Sequence, residues 1–433
     1  MDEVCMKVVV LGAGIIGIST AWHLLQRGHE VVVVDRQPGA ALETTFANGA
    51  QISVGFCEPW AHPAAPLKVL KWLARDDSPL LFRPQLDWHQ WRWGASFLRQ
   101  CTMPAFRRNV AQLVALGRYS HAALKQIIAD TGLEYDRLER GILHIFSTAH
   151  DLEAGAAASE LMRQYGVDRQ VLTREQVLQV EPALRQFPGL QGGTYAPSDE
   201  SGDAQVFTAA LARLCADRGV TFLYGHDVLG FDRQGSAISA VRLADRAGGA
   251  PTVLIGDAYV AALGSFTAPV LRPIGVDLNI YPTKGYSATL RLKRPGDASV
   301  VSLIDDANKI AISRLGDHVR IAGTAEMAGY DLGLDSPTAQ VRCRQLLERY
   351  ETLFPGVADT SDPHFWSGLR PSTPDNRPYI GGTRYGNLWV NAGHGTLGWT
   401  HGAGSGLALA ELMCGRVPDI GFAFCGPPLS RVP

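Results

Sequence analysis

Cysteine, net charge and long apolar runs are all scarce in this chain, and each scarcity removes a class of function. The seven cysteines (Cys5, Cys57, Cys101, Cys215, Cys343, Cys414 and Cys425) are odd in number, widely scattered over 433 residues and form no CxxC pair. That spacing supports neither a zinc site nor a disulfide framework, so no metal is expected and a reducing compartment suits the chain. A net charge of −2 gives no electrostatic reason to bind nucleic acid. No apolar run reaches the roughly 20 residues of a membrane-crossing helix. The N-terminus also lacks a basic region followed by an apolar core and a small-residue cleavage site. The expectation is a cytoplasmic protein whose membrane contact, if it has any, is peripheral. Hydrophobic residues at 46% and charged residues at 19% are ordinary for an α/β protein. The length allows two or three globular units with substantial cores.

What the chain does have, almost at its start, is a complete βαβ unit. Val8 to Leu11 is an apolar run of the length of a buried parallel strand. Gly12 allows the tight turn, Gly14 lets a pyrophosphate approach the backbone, and Gly17 lets the following helix pack close to the strand. Ala13, Ile15 and Ile16 complete the turn, whose N–H groups and helix dipole face the phosphates. Ile18, Ala21, Leu24 and Leu25 recur at helical spacing, and Gly28 stands at the C-cap. Glu30 to Val34 is a second strand, and Asp35 ends it where a carboxylate can accept both hydroxyls of an adenosine ribose. The unit as a whole predicts dinucleotide binding.

A second strand, glycine-rich turn and helix lies far away, from Leu388–Asn391 through Gly393, His394, Gly395, Thr396, Leu397 and Gly398 to about Met413. One pyrophosphate already occupies the first turn. A second helix N-terminus suits the electron-rich N1/O2 edge of a flavin, contributing about 0.3–1 kcal/mol from its dipole. The alternative is a loop whose glycines serve tight geometry only. Between the turns, residues 59–200 read as an insertion with a long amphipathic helix over 106–130 and strands over 141–146 and 192–195. Strand–helix–strand order returns after residue 200, and 280–325 alternates like a sheet. The dinucleotide-binding domain is therefore expected in three parts, 1–58, 201–279 and 355–433, with a substrate domain over 59–200 and 280–354.

Several segments are more specific than the dinucleotide turn. They include Pro38-Gly39-Ala40-Ala41-Leu42-Glu43-Thr44, Pro59-Trp60 with Pro66-Leu67-Lys68, and Tyr281-Pro282-Thr283-Lys284-Gly285-Tyr286-Ser287. Phe365-Trp366-Ser367-Gly368-Leu369-Arg370-Pro371 with Thr373-Pro374-Asp375, and Asn391 to Thr400, are two more. In these the chain resembles, over nearly its whole length, the D-amino-acid oxidase superfamily of FAD proteins, and within it the bacterial D-amino acid dehydrogenase small subunits. Two departures stand out. That family usually reads Asn-Ala-Gly-Gln where this chain has Asn48-Gly49-Ala50-Gln51, and Asp-Gly-Thr-Pro where it has Asp375-Asn376-Arg377-Pro378. Both bear on substrate preference more than on chemistry.

The resemblance implies an α/β fold, with a discontinuous Rossmann-type FAD-binding domain and an α+β substrate-binding domain built on a mostly antiparallel sheet. It implies oxidative deamination of D-amino acids to 2-oxo acids and ammonia, with electrons passed to a quinone or another non-oxygen acceptor. Related alternatives are oxidation of D-proline, D-hydroxyproline, glycine or sarcosine; a different class is a non-catalytic flavin-binding sensor or subunit. Arg370 is the expected carboxylate clamp, since its planar fork can grip a carboxylate bidentately; a salt bridge at a domain seam is the alternative. Tyr286 would touch the carboxylate or close the site, or be a half-buried strand tyrosine. Lys284 would reach the flavin N5 side, or lie at the surface. His394 would act on the amine proton or hydrogen-bond the ring, or satisfy loop carbonyls.

For FAD itself, Arg36 is expected near phosphate or adenine, and Val228 at adenine through its backbone. Thr44, Thr45 and Asn48 are expected to serve the pyrophosphate and isoalloxazine, with Gln51 and Ile52 along the ring. Gly264, Gly395, Thr396, Leu397, Gly398 and Thr400 complete the binding set. No residue looks like a covalent attachment point, so FAD is expected to be dissociable. Finally, Trp60, Trp72, Trp88, Trp91 and Trp93 interleave with Lys68, Lys71, Arg75, Arg83 and Arg92. That mixture suits the cytoplasmic face of the inner membrane, or equally an ordinary core or subunit contact.

Overall fold

A computed structural model describes residues 5–67 and 79–426. The valine-rich strand Lys7–Leu11 lies inside a six-stranded sheet. The strand order is Tyr379–Gly382, Leu388–Ala392, Ala258–Ala261, Lys7–Leu11, Glu30–Asp35 and Thr221–Tyr224. All pairs are parallel except that of the edge strand Tyr379–Gly382 with Leu388–Ala392. Successive side chains of a strand face opposite sides, and both sides are covered here. Val8, Val10, Val31 and Val33 pack with the helices Ile15–Leu25 and Ala204–Asp217. Val9, Leu11 and Val34 pack with Leu271 and with a three-stranded antiparallel layer that supplies Phe231, Val241 and Leu243.

The helix Gly398–Met413 runs beside Ile15–Leu25 with almost no separation. A Cβ on Gly402 would lie 2.7 Å from Ile15 Cγ1, and one on Gly406 would lie 2.6 Å from the Ser19 carbonyl carbon. The contacts advance in step along both helices, so the two run side by side in the same direction. On another side of the same helix, a Cβ on Gly404 would lie 2.4 Å from Ser120 Cα. Ser120 belongs to the long helix Met103–Thr131, capped by Thr102 and ended by Gly132 at φ 65°. Although that helix lies within 59–200, its Leu116, Leu124 and Ile127 join the core of the dinucleotide-binding unit.

The second unit is a nine-stranded sheet. Its main path runs His364–Ser372, Tyr281–Arg291, His318–Met327, Ile310–Leu315, Ser302–Asp305, Ile142–Phe146, Gly192–Ala196 and Gln170–Thr173. Among the described residues two pairings are parallel, Ser302–Asp305 with Ile142–Phe146 and Leu80–Phe82 with His318–Met327. The helix Pro337–Leu353 covers one face, where Tyr286, Ala288 and Leu290 meet Leu346 and Tyr350. The other face is turned to the dinucleotide-binding unit across a cleft. One expected boundary moves. The strand His364–Ser372 pairs with Tyr281–Arg291 from Thr289↔His364 to Tyr281↔Ser372. It belongs to the substrate sheet, not to a closing part that starts at 355.

Candidate active site

The two units enclose a continuous cleft of about 880 Å³. At its dinucleotide end the three glycines divide their work. Gly12 has φ +110°, and a Cβ there would stand 2.4 Å from the Ala262 carbonyl oxygen; a Cβ on Gly17 would stand 1.8 Å from the Gly12 carbonyl oxygen. Both are demanded by the protein's own packing. A Cβ on Gly14 would approach only Thr45 Oγ1, at 3.3 Å, so Gly14 keeps the space before the helix clear. The helix Ile15–Leu25 starts there without a side-chain cap, and its Ile15 N–H donates to Thr45 Oγ1 at 3.2 Å. Its remaining first-turn donors and its positive dipole end face the cleft.

Asp35 lines the same end. Its carboxylate accepts from the Ala13 N–H at 2.6 Å and the Gln37 N–H at 2.8 Å, and burial raises its pKa above the ordinary aspartate value. Arg36 pairs with Glu43 and stacks over the Phe266 ring at 3.9 Å. Its guanidinium is therefore already engaged by protein groups. Phe266 and Glu43 form a wall that the sequence did not announce. Val228 and Gly264 (φ +56°) also border the cleft.

The second glycine-rich turn reaches the same cleft. Gly393 (φ +90°) and Gly395 (φ +53°) turn the chain, Thr396 and Leu397 line the wall, and the helix Gly398–Met413 begins without a side-chain cap. Other expected residues are engaged elsewhere. Thr44 Oγ1 donates to the Leu369 carbonyl, Asn48 Oδ1 accepts from the Ala50 N–H, and Gln51 Nε2 donates to Ser302 Oγ. These three border the cleft, but these side-chain groups hold the fold. Ala13, Gly17, Ile52 and Thr400 stand behind the lining: Ile52 is fully buried, and Thr400 Oγ1 accepts from the Ser53 N–H at 3.0 Å.

His394 lines the cleft beside the second turn. It is 2% exposed, and neither ring nitrogen is accessible or has a hydrogen-bond partner among the described residues. Burial, with His401 nearby, drives its pKa well below the usual histidine value. It is a neutral imidazole at the wall of the cleft, with both ring nitrogens unclaimed by protein groups among the described residues.

Arg370 is different. It faces the cleft from the strand His364–Ser372, opposite Thr283 on the neighbouring strand. Two residues along that neighbour is Gly285, where a Cβ would lie 2.3 Å from Arg370 Cζ. The guanidinium thus rests on bare backbone, an approach that only glycine permits. Nη1 donates to the Thr324 carbonyl at 2.8 Å, and no carboxylate among the described residues forms an ion pair with Arg370. Burial without a counter-charge pulls its pKa down to about 10. That is a desolvated cation lacking an anion, and a bound carboxylate supplies what it lacks.

Strand alternation sends Lys284 and Tyr286 to the opposite face from Thr283, Gly285 and Arg370. The Tyr286 hydroxyl donates to Glu326, and Lys284 Nζ donates to the Gly333 carbonyl at 2.5 Å. Lys284 does not border the cleft, which corrects its expected place at the flavin; Tyr286 does border it, with its hydroxyl engaged by Glu326.

Comparison with known proteins agrees with this geometry. The family model for FAD dependent oxidoreductases matches residues 7–412. The chain belongs to that family. It is 50% identical over 420 residues to a D-amino acid dehydrogenase of Dechloromonas aromatica (strain RCB), covering 97% of this chain and 99% of the relative. A D-amino acid dehydrogenase of Granulibacter bethesdensis is 46% identical over 420 residues, covering 96% and 98%. Among solved structures, glycine oxidase from Bacillus cereus superposes with a TM-score of 0.70 at 21% identity, covering 95% of each chain. L-proline dehydrogenase from P. horikoshii gives 0.70 at 18% identity, covering 94% of this chain and 93% of that one.

The residues present fit the family's cofactor. Two uncapped helix N-termini open on one cleft, Gly14 leaves room for a pyrophosphate, and Asp35 offers a carboxylate where a ribose is expected. Gly14, Ile15, Ile16 and Thr45 would hold the pyrophosphate, Asp35 the ribose, and the Gly395–Gly398 turn the far edge of the flavin. Gly285 and the Phe266–Glu43 wall escaped the sequence reading. A glycine inside a strand was the signal available for Gly285; nothing local pointed to the wall.

Proposed function

We propose that this oxidoreductase converts D-amino acids to 2-oxo acids and ammonia, passing the electrons to a quinone or another non-oxygen acceptor. The observation that carries the reading is Arg370, a half-buried guanidinium with no acidic partner among the described residues, facing the cleft between two glycine-rich turns. The name borne by its relatives supports the substrate class. FAD, when bound, supplies a hydride acceptor at flavin N5. Arg370 grips the substrate carboxylate bidentately and so orients Cα. Gly285 leaves the space in which the fork lies flat. The substrate reacts as its neutral amine, so no protein base is required and kcat/KM rises with pH toward the amine pKa. The imine product then hydrolyses in water.

Anaerobic addition of D-alanine tests this directly: the yellow flavin absorbance should bleach, and L-alanine should leave it unchanged. No bleaching with any member of a D-amino acid panel would sink the reading. Peripheral attachment to the cytoplasmic face of the inner membrane is part of the proposal. Its support is the apolar surface of Leu86, Trp88 and Trp91, of which Trp88 is 72% exposed. Trp93, in contrast, is buried and donates to the Ser372 carbonyl, while Lys68, Lys71, Trp72 and Arg75 lie outside the described residues. Sedimentation with anionic vesicles at low salt checks it, and absence of co-sedimentation refutes it.

A further inference from the structure

Behind the sheet that carries Arg370, Lys284 occupies an unusual position for a lysine. It is 3% exposed, in the middle of the strand Tyr281–Arg291 and on the face turned away from the cleft. A buried ammonium is kept only when its donors are used. Here Nζ donates to the Gly333 carbonyl at 2.5 Å and pairs with Asp331 Oδ2 at 3.4 Å. Both partners belong to the segment between the strand His318–Met327 and the helix Pro337–Leu353. The residue between them, Leu332, lines the cleft. Its carbonyl accepts from Ser367 Oγ at 2.7 Å, three residues before Arg370 on the same strand. The segment is anchored again at Tyr330, whose hydroxyl donates to the Ser265 carbonyl at 3.4 Å.

These contacts place one apolar side chain beside the clamp strand and fix it from underneath. Leu332 itself is 40% exposed, so packing does little to hold it. We propose that Lys284 is a positioning residue that holds the 330–333 segment across the cleft, so that Leu332 forms the wall limiting the size of the substrate side chain. This rests on the D-amino acid reading above. Lys284 never meets the substrate. It acts through the Gly333 carbonyl, and it discriminates between side chains while Arg370 grips the carboxylate they all share.

The test compares D-alanine with D-phenylalanine as reductants of the flavin in the complete holoprotein. Lys284→Met should free the wall and raise the D-phenylalanine to D-alanine ratio of kcat/KM by about ten-fold, the scale on which an apolar pocket discriminates size. Leu332→Ala should shift the ratio the same way, the double variant should add little, and Lys284→Arg should restore most of the wild-type ratio. A uniform slowing of both substrates in Lys284→Met would overturn the proposal. So would an unmoved ratio in that variant while Leu332→Ala moves it. Amide hydrogen exchange at residues 331–333 is a readout independent of turnover: it should accelerate in Lys284→Met, and unchanged exchange refutes the tether. If neither amino acid reduces the flavin of the unaltered protein, the functional reading falls, and the exchange result still decides on the tether.

Discussion

Replacing Gly285 by alanine should disable Arg370 without unfolding the protein. The added Cβ would sit 2.3 Å from Arg370 Cζ and 2.4 Å from each terminal nitrogen. Non-bonded heavy atoms settle at about 3.5–4.0 Å, so the guanidinium must retreat by about 1 Å. Gly285 is not among the residues with positive φ, so alanine meets no backbone strain. The displaced group is the end of a flexible side chain, and the change in stability should stay within about 1 kcal/mol. Function should suffer far more. A misplacement of about 1 Å costs about 100-fold in rate, and loss of a charge-assisted hydrogen bond costs about 1.5–3 kcal/mol. Anaerobic stopped-flow reduction of bound FAD by D-alanine should therefore show kcat/KM lowered by about two orders of magnitude. The flavin spectrum and Tm should remain near wild type. A Gly285→Ala protein that keeps FAD and reduces it within three-fold of the wild-type rate would refute the placement of Arg370 as clamp.

Three further outcomes follow from the same structure. Arg370→Lys keeps the charge but loses the fork, and should cost at least ten-fold in kcat/KM for D-alanine, with Arg370→Leu costing more; equal activity of the lysine variant would show that bidentate contact is irrelevant. Gly12→Ala forces a left-handed backbone position and a clash with the Ala262 carbonyl, so FAD release on gel filtration and a lower Tm are expected, and a fully loaded, equally stable protein is the contrary result. Asp199 is 1% exposed, accepts from the Gly55 N–H, and has its pKa raised by burial to about 7. Its folded pKa lies above its unfolded one, so its contribution is largest at low pH and is lost as pH rises from about 4 to 7. Asp199→Asn should gain on the wild type by roughly 2–3 kcal/mol between pH 5 and pH 7, and a pH-independent difference between their denaturation curves would refute the shift.

The parts of this protein that sequence conveys well are those whose geometry is local. Gly12, Gly14, Gly17 and Asp35 each owe their place to a turn of a few residues, and a single βαβ unit displays them all. Arg370 could be singled out by its segment, yet its isolation from acidic partners is a tertiary fact. The strand Tyr281–Arg291 is buried on both faces, so burial alone does not separate the side of Lys284 from that of Arg370. Tyr286, Ala288 and Leu290 alternate with polar residues, but that pattern does not say which of the two sets shares the side of Arg370 on the neighbouring strand, and a shift of one residue reverses the answer. A register irregularity between Lys284 and Tyr286 further obscures their pairing with His318–Met327. The setting of His394 is illegible for another reason: which way a turn histidine looks depends on Gly393 and Gly395, whose positive φ values no periodicity reveals. The place of the strand His364–Ser372 in the substrate sheet is hidden because pairing across some 80 residues leaves no local trace.

The glycine contacts at Gly402 and Gly406 reach beyond packing. They bring two parallel helices into close contact, Gly402 against the Ile15 side chain and Gly406 against the Ser19–Thr20 backbone, so the pyrophosphate grip and the flavin-edge grip are cast as a single jaw of fixed span. A ligand of that length is measured against a rigid gauge. Any accommodation of bulkier substrates must then come from the opposing sheet and the segments tethered to it.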